Sequence, residues 1–211
     1  LLYYQGLEHI IYADQTFIAD SRFTTKKVSI DINSYYHDIL TFSQIKKEQT
    51  DLLYFLISSD NFNRELNKRI TLTDDYSEIN NLLASGIKYY SDLEQDVGSL
   101  KIDPTNASLH NQIKEYMHNS QDYYTKTSDL MTQLVKALAS SNLDQVRNIQ
   151  TQIKTARQAY LDSDNKFFTA INTEATNLRT FVSTTNASLV KKSEWVRTNL
   201  QKEMDDMMIR Q

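Results

Sequence analysis

The sequence predicts an all-α protein, an elongated antiparallel up-down-up-down four-helix bundle whose long first and last helices form a stalk. Three observations carry that reading. The 211 residues hold three glycines and one proline, namely Gly6, Gly86, Gly98 and Pro104, and these residue types are the usual punctuation of a backbone. Apolar side chains recur at alternating steps of three and four, the period of one helix face. Clusters of Ser, Thr, Asn and Asp, whose short polar side chains cap helices, stand between the periodic stretches.

Taken in order, Val28, Ile32, Tyr35, Ile39, Phe42, Lys46, Gln49, Leu53 and Leu56 form the seam of a first helix over about 2–57, closed by Ser58-Ser59-Asp60-Asn61. A second helical stretch covers about 60–97, with a break near 71–73 where Thr71-Leu72-Thr73-Asp74-Asp75 offers another cap. Its seam is Tyr76, Ile79, Leu83, Gly86, Tyr90, Leu93 and Val97, and a glycine on that line predicts close approach of a neighbouring backbone. Asp103-Pro104 reads as a cap followed by proline in the first turn. It opens a third helix, about 104–139, with Leu109, Ile113, Tyr116, Ser120, Tyr123, Thr127, Leu130 and Leu134 in line. Ser140-Ser141-Asn142 ends it and caps a fourth, about 142–210, seamed by Val146, Ile149, Ile153, Ala156, Tyr160 and Phe167 and continuing through Leu178, Val182, Leu189, Val196 and Leu200. At the standard rise that last helix is roughly 100 Å long.

Short turns make successive helices antiparallel, so the two shorter middle helices cover only part of the outer two. Residues 1 to about 20 and about 180–211 are then expected to project together while still carrying Leu7, Ile10, Phe17, Leu189, Trp195, Leu200 and Met204. Two helices cannot bury both apolar faces, and a second copy of the chain is the simplest cover, which predicts a parallel homodimer. The whole of 1–211 is read as a single helical domain.

Composition narrows the function classes. A net charge of −4 with interspersed signs leaves no basic stripe for neutralising phosphates, so nucleic acid is not an expected partner. Cysteine is absent, which removes disulfides, thiolate metal sites and a cysteine nucleophile. None of the glycines sits in a phosphate-cradling loop or a nucleophile turn, and the reading is of a protein that is not an enzyme. His110 and His118 lie eight apart without a completing zinc pattern, so they read as surface histidines, and no metal or cofactor is expected. The chain starts without methionine and no run approaches the ~18 apolar residues of a membrane span; the expectation is a segment cut from between two spans.

Three short stretches resemble bacterial chemoreceptors and related transmembrane signalling receptors. Gly6-Leu7-Glu8-His9-Ile10 is similar to the stretch with which such receptors leave their first span. Leu53-Tyr54-Phe55-Leu56-Ile57-Ser58-Ser59-Asp60 resembles the close of the first helix in their four-helix-bundle sensor domains, and Leu138 to Val146 the turn that opens their last helix. The resemblance implies a periplasmic, extracytoplasmic ligand-binding sensor domain of a bacterial inner-membrane protein: a methyl-accepting chemotaxis protein, sensor kinase or diguanylate cyclase, in the four-helix or the helical bimodular version. Transmembrane helices would flank it, and ligand would displace the last helix against the first in a dimer. The competing reading is a helical structural or secreted interaction protein, or a pore-forming component, with no small-molecule ligand.

The candidate binding site is the polar interruption of the first seam by Lys46 and Gln49. Lys46 lies about 12 residues from the turn expected at Ser58, and a like count into the fourth helix reaches Lys154 and Arg157. With Tyr54 and Tyr160 flanking, this cationic level suits a small carboxylate. Equally, the lysine stems lie along the bundle with their ammonium groups in water. The arginines that the family places near the end of the first helix are missing, the nearest being Arg22 and Arg64, so the resemblance transfers no ligand.

Overall fold

The computed structural model describes residues 26–209. They form four helices and no strand: α1 Lys26–Leu72, α2 Tyr76–Ser99, α3 Ala107–Ala139 and α4 Leu143–Ile209, with a short 3-10 turn at Pro104–Asn106 before α3. The expected apolar residues at 1–25, and the receptor-like Gly6–Ile10 stretch, lie outside the described residues.

The first correction concerns where α1 stops. Ser58-Ser59-Asp60-Asn61 does not close it; the helix runs on to Leu72, so the segment from 60 to 70 belongs to the first helix and not the second. Capping residues end a helix only when their side chains serve a new N-terminus. Here the Ser59 hydroxyl donates back to the Leu56 carbonyl at 2.8 Å, and Asp60 pairs with Arg64 one turn on, at 2.7 Å, both of which support continued helix. The resemblance of Leu53–Asp60 to the close of a first helix therefore fails. The true stop is at Thr73-Asp74-Asp75, near the break expected at 71–73. There Asp75 caps α2 by accepting the Ser77 N–H at 2.8 Å, and Thr73 Oγ1 donates to Glu78 at 2.8 Å.

The other two turns fall where expected. Asp103 accepts the Thr105 N–H at 2.8 Å, with Pro104 in the first turn behind it. His110 Nε2 donates to the Val97 carbonyl at 2.7 Å, so this half-buried histidine closes the C-terminus of α2 and is not a plain surface residue. At the α3–α4 turn, Asn142 N–H reaches Ala137 O at 3.0 Å and Ser141 N–H reaches Leu138 O at 3.0 Å, the paired bonds of a Schellman motif. Ser141 takes the left-handed position at φ 54°, and Asn142 caps α4 by accepting the Gln145 N–H at 3.1 Å.

The described chain divides into two compact units. The bundle unit, Thr50–Glu174, contains α2 and α3 whole, together with residues 50–72 of α1 and 143–174 of α4. Its helices alternate in direction, because Phe62 meets Tyr89, Tyr116 meets Phe167 and Asn63 meets Tyr160. Leu52, Leu83, Tyr90, Val97, Leu109, Ile113, Met117, Tyr124 and Ile149 are sealed from solvent. On α1 the inward line is Leu52, Leu56, Ser59 and Leu66, while Leu53, placed on the seam from periodicity, is 43% exposed. Adjacent leucines at 52 and 53 satisfy the period equally, and only the neighbouring helices choose between them. Gly86 allows a close approach as expected, but of side chains: a Cβ there would lie 2.9 Å from Leu66 Cδ2 and 3.0 Å from the Tyr124 ring.

The second unit comprises residues 26–49 of α1 and 175–209 of α4 among those described. The two helices run antiparallel, joined by a Phe42–Phe181 ring contact, an Asp38–Lys192 ion pair and the packing of Tyr35, Tyr36 and Leu200 on Val196. No described helix is long and apolar enough to cross a membrane.

Candidate functional site

The six residues singled out from the sequence fall in both units, Lys46 and Gln49 in the two-helix unit and Tyr54, Lys154, Arg157 and Tyr160 in the bundle unit. Lys46, half-buried, lines a cleft of about 430 Å³ in the two-helix unit together with Phe42, Ser43, Val182, Asn186 and Glu194. Gln49 is buried in the same unit. Tyr54 is 69% exposed, and Lys154 and Arg157 are exposed on α4 of the bundle unit. The depth count that aligned Lys46 with Lys154 and Arg157 used a turn at Ser58; with the turn at Thr73, the residue of α1 that meets Tyr160 is Asn63. Of the six, Tyr160 alone lies in a polar constellation within the bundle core.

That constellation is a layer of hydroxyl and amide groups crossing all four helices. Tyr160 Oη accepts from Asn63 Nδ2 at 3.4 Å and shares a 3.3 Å hydrogen bond with Ser120 Oγ. Tyr124 donates to Asn63 Oδ1, and Tyr90 donates to the Ser59 carbonyl at 3.2 Å. Rings enclose these polar atoms: Tyr123 stacks on Tyr160 and Tyr116 on Phe167, each with centroids 4.3 Å apart, and Tyr90 on Tyr124 at 5.7 Å. Burial pushes the hydroxyls of Tyr90, Tyr124 and Tyr160 well above the ordinary tyrosine range, so all three stay neutral and able to donate.

Beside the layer, the buried Asp164 Oδ1 is left without a hydrogen bond, while the Tyr116 hydroxyl interacts with those of Tyr90 and Tyr160. Burial raises the pKa of Asp164, and the charge of Asp60 raises it further. Burial and then the Asp164 charge raise that of Tyr116. Beside them, Gln112, Glu115, Asn119, Ser163 and Lys166 join Tyr116 and Phe167 in lining a cleft of about 220 Å³ between α3 and α4. Gln112 Nε2 donates to Ser108 Oγ at 3.1 Å, while its buried Oε1 has no partner.

Periodicity alone missed this place, although a signal was present. Asp164 falls between Tyr160 and Phe167 on the fourth seam, and Ser120 lies on the third; these are polar interruptions of the kind that drew attention to Lys46. No protein-family model matches the chain, and no curated protein or solved structure is significantly similar to it.

Proposed function

We propose that this chain is the extracytoplasmic sensor module of a transmembrane signalling receptor, binding a small molecule and responding by displacement of α4 against α1 within a homodimer. The observation that carries the reading is how α4 is held in the bundle unit. At the polar layer it meets α1 and α3 through hydrogen bonds of 3.3 to 3.5 Å and through two flat ring stacks. By contrast, α1 and α3 share the shorter Tyr124–Asn63 bond. Long hydrogen bonds are weak, so a small shift of α4 at this level gives up little hydrogen bonding. A ligand moves it only by preferring one arrangement over the other. The α3–α4 turn within Leu138–Val146, where the receptor resemblance falls, adds support.

The absence of cysteine makes the test clean. Spin labels at Lys68→Cys and Gln152→Cys report α1 against α4, and Glu65→Cys with Lys126→Cys reports α1 against α3. A compound found by thermal shift among small carboxylates, amines and sugars is expected to change the first distance by on the order of 1 Å and leave the second unchanged. A screen without a hit, or a bound compound that leaves the α1–α4 distance unmoved, would overturn the reading. For the dimer, light scattering at micromolar concentration is expected to give twice the chain mass of 24.6 kDa; a monomer there counts against it.

A further inference from the structure

The cleft between α3 and α4 is a small cavity whose wall is rich in hydrogen-bond acceptors. Its volume of about 220 Å³ exceeds the roughly 150 Å³ that holds a benzene molecule in an engineered core. The Gln112 amide gives one N–H to Ser108, and its Oε1 is a buried acceptor without a partner. Asn119 gives one N–H to Ser163, at 3.5 Å, and adds a carbonyl oxygen to the lining. Glu115, exposed, adds a carboxylate to the lining. Tyr116, only 4% exposed, stacks on Phe167 here. Next to Ser163, Asp164 holds a buried carboxylate oxygen with no donor facing it, and its charge is felt at Tyr116.

An unpartnered buried acceptor, the carboxylates of Glu115 and Asp164 against the ammonium of Lys166, and aromatic faces together fit one ligand chemistry. An organic ammonium brings up to three N–H donors and a positive charge, and it is attracted to ring faces. A carboxylate ligand would meet Glu115 and Asp164 as like charges, and a neutral alcohol would leave the charge of Asp164 uncompensated. We propose that the α3–α4 cleft of the bundle unit is a binding site for a small organic ammonium, received by Gln112 Oε1 and Glu115 beside the Tyr116–Phe167 pair, with Asp164 supplying the charge behind them. This rests on the sensor reading only for its biological meaning; the site stands on its own geometry. Lys166 on the same lining opposes the ligand's charge and limits affinity.

The test uses the 211-residue chain with putrescine and ethanolamine as probes and 1,4-butanediol and succinate as controls, read by thermal shift and titration calorimetry. The amines are expected to raise the melting temperature by several degrees in the millimolar range while both controls leave it unchanged. Asp164→Asn and Gln112→Leu, each first shown by circular dichroism to fold, are expected to weaken amine binding at least tenfold, and Lys166→Gln to strengthen it. Equal shifts with butanediol, no shift with either amine, or amine binding unchanged in both variants would overturn the proposal. The two readings fail separately. Amine binding with an unmoved α1–α4 distance sinks the sensor and leaves the site, whereas a carboxylate or sugar that binds where amines do not sinks the site and leaves the sensor.

Discussion

Gly86 shows how a single residue is judged by its neighbours. In an isolated helix alanine is better than glycine by about 1 kcal/mol. Here the added methyl meets Leu66 at 2.9 Å and the Tyr124 ring at 3.0 Å. The leucine terminus can turn aside, but the ring is fully buried and its hydroxyl is tied to Asn63, so overpacking, typically ~1–3 kcal/mol, wins. Gly86→Ala is expected to lower stability by about 1 kcal/mol in urea unfolding. Asp164 is judged by charge. Its folded pKa is raised, so the folded state holds its proton more tightly than the unfolded chain does. Stability from this group is complete below the ordinary aspartate range and is lost as pH rises through the raised folded value. Asp164→Asn, which cannot ionise, is therefore expected to melt higher than the parent at pH 7, with the gap closing toward pH 3. A gap that is constant with pH would show that the charge is not the cause.

At the scale of the element, the polar clusters Ser58–Asn61 and Thr73–Asp75 illustrate why composition alone misplaces a helix end. Both carry capping residues; the first turns its hydroxyl and carboxylate back into its own helix, whereas the second accepts the exposed N–H groups of the next. Hydrogen exchange is expected to find the amides of residues 59–62 protected and those of 74 and 75 fast; the reverse would return the break to Ser58. The α3–α4 turn holds Ser141 at a left-handed φ of 54°, where a Cβ costs roughly 1–2 kcal/mol. Glycine relieves that but is freer in the unfolded chain, so Ser141→Gly is expected to stabilise by about 0.5–1 kcal/mol, read as a higher urea midpoint.

For the molecule as a whole, the division into two units decides which parts can stand alone. Residues 50–174 contain parts or all of four helices and a sealed core from Leu52 to Ile149, the requirement for independent folding. A fragment of those residues is expected to be helical and to melt cooperatively; a gradual, non-cooperative melt would show that its core depends on the rest of the chain. In the candidate site, Tyr160 was legible because it sits on a strict period. Its partners were not, since Asn63 reaches it only once α1 is known to pass Ser58, and moving the turn from Ser58 to Thr73 lengthens α1 by about four helical turns and so changes which residues face each other.

The scarcity of glycine and proline, the 3.6-residue period and the caps at Asp103 and Asn142 were sufficient by themselves to determine an all-α chain and two of the three turns among its described residues, because these are local properties of backbone and solvent. The choice between Ser58 and Thr73 as the end of α1, the burial of Leu52 in place of Leu53, and the meeting of Asn63, Ser120, Tyr160 and Asp164 in one layer belonged to the tertiary structure. Each is a contest between locally equivalent options, and only packing against a second helix makes them unequal.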